Sequence, residues 1–145
     1  MKVLALDPGG TTGVAQYDSE TGEFTSAQES ERNHLVNLVR VQAHDVDAVV
    51  CEDFRITMQT AKKSPQADAL KIIGAVDWIC WDVGIPFVLQ TPGDAKRFAT
   101  DDRLKKAGMW TPGRQHSNDA ARHLFLFLCK KGLLNALEVD NRAES

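Results

Sequence analysis

The sequence predicts an α/β protein in which helices flank the two faces of a mixed sheet. Five short segments have the apolar or alternating pattern of strands, and helical spacing appears between the later ones. A hydrophobic fraction of 43% is enough to form a core, and no low-complexity linker or repeat divides the 145 residues. We therefore expect one domain over residues 1–145, with strands first and then alternating helices and strands.

The first three strands are predicted to form an antiparallel meander. The apolar run Val3–Leu6 ends at Asp7, residues 13–17 form a second strand, and residues 23–28 follow as a third. The turn-forming segment 18–22 separates the last two strands. Strands joined by so short a connection pair side by side in a hairpin.

Helices and strands alternate after the meander. Residues 35–43 have helical spacing, and Ser30 is the predicted N-cap of that helix. Residues 47–51 have the composition of a buried strand that runs into Glu52. Residues 54–64 have no clear period, and we predict a loop there.

The remaining part is predicted to contain three helices and the last strand, separated by proline and glycine. These elements are an apolar helix over 65–81, a strand over 86–89, a short basic helix after 91–93 and a final helix over 117–131. Residues 100–115 show no clear pattern.

The composition excludes several classes of protein. No apolar run approaches the ~18 residues of a membrane span, and the N-terminus lacks the pattern of a signal peptide, so we expect a cytoplasmic protein with no membrane contact. Cys51, Cys80 and Cys129 are an odd number at wide spacing. This pattern indicates reduced core cysteines and argues against a disulfide framework or a zinc site.

The net charge of −3 conceals an uneven distribution of charge. Residues 1–60 hold 4 basic and 10 acidic side chains, whereas residues 61–131 hold 12 basic and 7 acidic ones. An acidic sector beside a basic one fits a site that binds metal ions next to a polyanion.

Three acidic residues are singled out by their positions. Asp7 ends the first strand, Glu52 ends the fourth, and Asp119 lies in the first turn of the last helix, with His116 one helical turn before it. If the two strands are neighbours, Asp7 and Glu52 face one crevice beyond the strand ends. Carboxylates of this kind can hold two Mg²⁺ ions. Taken singly, each acid also fits an ordinary structural role: a turn residue, a solvated carboxylate or a residue that compensates the helix dipole.

The combination of these segments resembles the RuvC-type Holliday junction resolvases of the RNase H-like superfamily. The three acidic motifs of that family are similar to LALDPGGTTGVA, VVCEDF and HSNDAARH. Two further segments, QADALKIIGAV and TPGDAKRFA, are similar to the helix after the second acid and to the lysine-bearing segment. The first motif is one residue shorter than its common bacterial form, and the segment after Glu52 is longer than in that form. These differences make the sequence more similar to phage-encoded relatives.

The resemblance implies a fold, an activity and a set of site residues. It implies a five-stranded RNase H-like fold and a homodimer that cuts the two symmetric strands of a four-way DNA junction with Mg²⁺ or Mn²⁺, two ions per site. Carried over by motif, Asp7, Glu52, His116 and Asp119 are metal ligands, and Lys96 contacts phosphate as a further catalytic residue. A phage-encoded enzyme of this kind acts in the host cytoplasm.

Basic residues within and between these segments are candidates for contacts with the DNA backbone. The predicted DNA-binding residues are Lys62, Lys63, Lys96, Arg97, Lys105, Lys106 and Arg114. In the long loop, Phe54, Ile56 or Met58 are candidates for a wedge between unstacked bases.

The apolar helix over 65–81 predicts a dimer, because its apolar residues occupy more than one stripe. Either Ile72 or Ile79 is predicted to face the partner, and Trp78 and Trp81 are assigned to the core or to the dimer interface. His34, His44 and His123 have no partner spacing of their own. The spacing of seven residues could put His123 on the same face as His116, but we interpret His123 as an ordinary histidine on the helix surface.

Three other functions are alternatives to a junction resolvase. The segment DPGGTTG also resembles the phosphate-binding hairpin of sugar kinases and actin-like ATPases, but those proteins need a second such domain. An RNase H-like nuclease that trims ribosomal RNA precursors is a nearer alternative. A DNA-binding module without catalytic activity is the third, although the presence of Asp7, Glu52, Asp119 and His116 argues against it.

Overall fold

The computed structural model describes residues 1–55 and 66–143, which form a five-stranded mixed sheet with helices on both faces. Its strands are β1 (Lys2–Asp7), β2 (Thr12–Asp18), β3 (Phe24–Glu29), β4 (Ala48–Glu52) and β5 (Phe87–Gln90). Its helices are α1 (Arg32–Gln42), α2 (Gln66–Val83), α3 (Pro92–Phe98), α4 (Asp101–Lys106), α5 (Gln115–Lys130) and α6 (Ala136–Asp140).

The strand order is β3-β2-β1-β4-β5, and the predicted meander and mixed sheet are confirmed. Strands β1, β2 and β3 pair antiparallel, whereas β4 pairs parallel to β1 and β5 pairs parallel to β4. The central strand β1 is therefore enclosed by neighbours on both edges, which explains its nearly continuous apolar sequence.

Side chains of β1 alternate between two hydrophobic cores, one on each face of the sheet. Leu4 and Leu6 pack with α1 and α2, in a core that includes Leu35 and Ile72. The opposite face is covered by α5. The core on that side includes Val3, Ala5, Ala48, Val50, Leu124 and Phe125. The period of two along β1 thus determines which helices pack on which face.

Helix ends differ from the prediction where capping depends on side-chain geometry. The N-cap of α1 is Glu31, whose carboxylate accepts a hydrogen bond from the His34 amide, so the assignment of Ser30 is wrong by one residue. Helix α5 begins at Gln115, two residues earlier than predicted. Helices α4 and α6, with 6 and 5 residues, were not predicted because they are too short for a helical period to appear.

The exposed face of α2 differs from the predicted one. Ile72 and Ile79 are 0% and 6% exposed and belong to the core, so their assignment to a dimer surface is wrong. Trp78 and Trp81 are instead 60% and 75% exposed, and Leu70 beside them is 41% exposed. Of the two alternatives for the tryptophans, the core is therefore excluded, and the dimer interface stays a prediction.

Two predictions from composition can be compared with the structure. Cys51, Cys80 and Cys129 are all free, the first two are buried, and the third is partly exposed. Within the described ranges, no helix combines the length and the apolar character needed to cross a membrane.

Candidate active site

The acidic site begins at two adjacent strand ends. Strands β1 and β4 pair in parallel with Leu6 opposite Cys51, so the next residues, Asp7 and Glu52, emerge side by side at the carboxyl edge of the sheet. Their side chains are only 12% and 19% exposed. The condition for a shared crevice, that these two strands are neighbours, is met.

Helix α5 brings the other two predicted site residues to this edge. His116 lies in its first turn, and the His116 Nδ1 atom is 3.5 Å from Asp7 Oδ2. Asp119, one turn later, is close enough for its charge to disfavour ionisation of Asp7. The residues from the three acidic motifs are therefore gathered at one place, although they are more than 100 positions apart in sequence at the extremes.

The position of α5 is set by strands β2 and β3. The Gln28 side-chain oxygen accepts hydrogen bonds from the backbone amides of His116 (3.2 Å) and Ser117 (3.3 Å), which satisfies donors that a helix start leaves open. The Ser117 hydroxyl donates to the Ala27 carbonyl over 2.9 Å. A Cβ atom on Gly13 would lie 1.7 Å from the His116 carbonyl oxygen. Glycine at this position allows the helix to approach β2.

Burial and charge act in opposite directions on the two carboxyl groups. Burial raises the pKa of Asp7 well above its usual range, and hydrogen bonding to Glu52 together with the charges of Glu52 and Asp119 adds to this effect. Burial also acts to raise the pKa of Glu52, but hydrogen bonding with His123 and Asp7 outweighs it and lowers that pKa. In the metal-free protein the pair therefore shares one proton at neutral pH.

His123 is a member of this site that the sequence interpretation placed wrongly. The side chain is buried, not exposed on the helix surface, and its Nε2 atom lies 3.6 Å from Glu52 Oε1. On the other side of the ring, Gln90 Nε2 is 3.2 Å from His123 Nδ1. The signal available in the sequence was the spacing from Asp119, since residues four apart share one face of a helix.

Arg122 is a second site residue that sequence reasoning missed. Its Nε atom donates to Asp119 Oδ1 over 3.3 Å, and its NH1 donates to the Ala99 carbonyl over 2.7 Å. Its NH2 group also pairs with Asp101, at the start of α4. Arg122, with 13% of its side chain exposed, links Asp119 to the α3–α4 junction and so fixes one oxygen of that carboxylate.

Lys96 is close enough to the acidic site for its charge to act on two of the carboxyl groups. It lies on α3, and its charge acts to lower the pKa values of both Asp7 and Glu52. It also lines an open depression with Asp119 and Arg122. A polyanion bound over the acids would therefore meet Lys96.

The other predicted DNA-binding residues within the described ranges contact groups outside the acidic site. Arg97 pairs with Asp94, and Lys106 pairs with Asp102 and donates to the Asp140 carbonyl. The Lys105 ammonium lies over the Trp110 ring at 5.2 Å, and Arg114 lines a depression with Asn118 and Arg122. Phe54 lines a pocket with Glu52 and Pro92. Four residues lie outside the described ranges: Ile56, Met58, Lys62 and Lys63.

The donor chemistry of the site fits a hard divalent cation. Within residues 1–55 and 66–143, no three His, Cys, Asp or Glu side chains are already arranged around a common ion position. Asp7 and Glu52 nevertheless place carboxylate oxygens side by side, in surroundings where a second negative charge is unfavourable. A cation would remove that penalty, and oxygen donors are what Mg²⁺ prefers.

The strand order and the helices on both faces define an RNase H-like fold. Among solved structures, the chain is similar to Thermus thermophilus RuvC in complex with a Holliday junction substrate, with a TM-score of 0.62, 17% identity, and coverage of 92% of this chain and 97% of that one. A second T. thermophilus RuvC structure gives a TM-score of 0.60 with 18% identity, covering 92% of this chain and 98% of that one.

A viral protein shares the same architecture. The Fowlpox virus resolvase, in a structure with substrate Holliday junction DNA, gives a TM-score of 0.54 and 19% identity, covering 93% of this chain and 100% of that one. No protein-family model matches the chain, and no curated protein matches it at the sequence level. The predicted RuvC-type, RNase H-like fold is confirmed by these likenesses.

Proposed function

We propose that the protein is a metal-dependent endonuclease that cleaves branched DNA and resolves four-way junctions. The observation that carries the proposal is the convergence of Asp7, Glu52, Asp119 and His116 at one edge of a RuvC-like sheet, with Lys96 beside them. The Thermus and Fowlpox proteins of the same fold were solved with Holliday junction DNA, which supports the same substrate class.

The acidic residues would hold Mg²⁺ or Mn²⁺ in this enzyme. Asp7, Glu52 and Asp119 supply oxygen donors, and His116 supplies a nitrogen donor that suits Mn²⁺ better than Mg²⁺. Divalent ions bound there would supply an activated water nucleophile and neutralise charge on the departing 3′ oxygen. The cut would leave a 5′ phosphate and ends that a ligase can join.

In this proposal, basic side chains of the protein position the phosphate and the carboxylate of Asp119. Lys96 stabilises negative charge that develops on the attacked phosphate, which is an electrostatic contribution. Arg122 holds the Oδ1 atom of Asp119 through the contact of 3.3 Å and so restricts the orientation of this carboxylate. Arg114 lines a depression with Trp110 and Arg122, and Lys105 lies over the Trp110 ring, so both are candidates for backbone contacts farther along the strand.

A second copy of the chain is proposed to cover the exposed face of α2. This face carries three exposed large apolar side chains, Leu70 (41%), Trp78 (60%) and Trp81 (75%). Asp77 and Asp82 flank it on the same helix, so the face does not suit a polyanion. Paired incision of two symmetric strands also requires two sites related by a two-fold axis.

The proposal is tested by incubating the protein with three labelled substrates: a synthetic four-way junction, a matched DNA duplex and an RNA hairpin. Each is incubated with Mg²⁺, with Mn²⁺ or with EDTA, and products are separated on denaturing gels. We expect paired symmetric cuts in the junction alone, only with metal, and none with Asp7→Asn. Cleavage of the RNA hairpin instead would favour the RNA-processing alternative, and binding without cleavage would favour the inactive module.

A further inference from the structure

A buried histidine lies directly behind the proposed metal site. His123 is 1% exposed, and its Nε2 atom is 3.6 Å from Glu52 Oε1. Its neighbours on α5 that face the sheet are apolar, among them Ala120, Leu124 and Phe127. Because a buried polar ring needs partners on both nitrogens, its presence in this core requires an explanation.

Gln90 determines which ring nitrogen of His123 carries the proton. Gln90 Nε2 donates to the His123 backbone carbonyl over 2.9 Å, and a carbonyl can only accept. This contact fixes the amide orientation, and the same nitrogen then directs its other hydrogen at His123 Nδ1, 3.2 Å away. His123 Nδ1 is therefore the acceptor, and the ring proton is on Nε2, which faces Glu52.

The Gln90 amide is retained at a cost to the fold. Among the described residues, its side-chain oxygen is a buried atom with no hydrogen-bond partner. An apolar residue at the end of β5 would avoid that cost. Gln90 is also the residue paired with Glu52 across the β4–β5 ladder, so the strand register places it where its amide can act on the histidine behind that carboxylate.

We propose that His123 is a positioning residue that directs its Nε2–H at Glu52 and holds this carboxylate for a divalent cation, with Gln90 maintaining the required tautomer. The inference rests on the proposed metal-dependent function. It assigns His123 no ligand role of its own, because a protonated Nε2 cannot coordinate a metal. Residues that orient metal-binding carboxylates in this way change metal affinity by about 10- to 100-fold when they are removed.

The test measures Mn²⁺ binding by the electron paramagnetic resonance signal of free Mn²⁺, without DNA. We expect His123→Leu to weaken Mn²⁺ binding about 10- to 100-fold, and His123→Gln, which keeps N–H donors, to recover part of this loss. Leu124→Ala is the matched control: it removes core packing on the same helix and should lower the melting temperature with no change in Mn²⁺ affinity. A folded His123→Leu protein with wild-type Mn²⁺ affinity would overturn the inference.

A measurement on the wild-type protein decides the matter if His123→Leu does not fold. Long-range ¹H–¹⁵N spectra of the histidine rings report the tautomer, and we expect a proton on His123 Nε2 both without metal and with saturating Mg²⁺. A proton on Nδ1, or loss of the Nε2 proton when Mg²⁺ binds, would refute the positioning role. Wild-type protein that binds no Mn²⁺ in an Asp7-dependent manner would instead refute the proposed function, and the inference with it.

Discussion

Replacing Gly13 by alanine tests how closely the catalytic arrangement depends on the packing of α5 against β2. The new Cβ atom would lie 1.7 Å from the His116 carbonyl oxygen, and real contacts of this kind stay above 3.0 Å. The helix and strand must therefore separate by about 1.3 Å. Gly13 is not among the glycines with positive φ, so the effect is steric and owes nothing to backbone conformation.

Two magnitudes follow from this displacement. Overpacking of a tight contact costs about 1–3 kcal/mol of unfolding free energy. A misplacement of about 1 Å in a catalytic group costs on the order of 100-fold in rate, and His116 and Asp119 both move with the helix. We therefore expect Gly13→Ala to remain folded, to melt at a lower temperature and to cleave a four-way junction about 100-fold more slowly.

The assay combines thermal unfolding with single-turnover cleavage of the junction in Mg²⁺. Gly93→Ala is the matched control, because a Cβ at that position meets nothing within 4 Å. It should change neither quantity by more than a small amount. If Gly13→Ala cleaves at the wild-type rate with an unchanged melting temperature, close approach of α5 to β2 is not what positions the site.

Four further predictions concern the site, the charge distribution and the dimer. Removing one carboxylate, in Asp7→Asn, Glu52→Gln or Asp119→Asn, should abolish cleavage while gel-shift assays still detect junction binding. Cleavage near the wild-type rate by any of these variants would show that the replaced residue does not belong to the site. Mg²⁺ affinity should rise with pH across neutrality, because the raised pKa of Asp7 leaves a proton in the site that Mg²⁺ must displace. Calorimetry in buffers of different ionisation enthalpy would detect the released proton. Binding without proton release would contradict this prediction. Junction binding should weaken steeply with salt despite the net charge of −3, and a binding constant independent of salt would exclude the nucleic-acid reading. Trp81→Glu should give a folded monomer in analytical ultracentrifugation. The control Val41→Asp, at an exposed apolar position on α1, should leave the dimer intact. A wild-type mass of 16.0 kDa at micromolar concentration would contradict the dimer.

Much of the sheet could be predicted because its signals are local. The apolar run before Asp7 and the apolar strand before Glu52 are each readable over four or five residues. Their adjacency follows from a topology that allows few alternatives once three strands form a meander. Once the two strands are neighbours, Asp7 and Glu52 must lie at the same edge of the sheet.

The features that were missed depend on contacts distant in sequence. The interpretation of His123 as a surface residue was wrong because its partners, Gln90 and Glu52, lie on β5 and β4. The helical pattern around His123 carries no information about those two strands. Arg122 was missed for the same reason, since its Asp101 partner is in a helix too short to show a period. On α2, apolar stripes could be counted, but which stripe faces the sheet is decided by packing.

The cap that β3 places on α5 has a consequence for how the protein acquires activity during synthesis. Gln28 and Ala27 contact His116 and Ser117 across separations of 88 to 90 residues, so these hydrogen bonds close a loop that spans most of the chain. A nascent or prematurely terminated chain that lacks α5 contains Asp7 and Glu52 but no Asp119. Nucleolytic capacity would therefore arise in one late step, when the last long helix docks, and incomplete chains would be harmless to DNA.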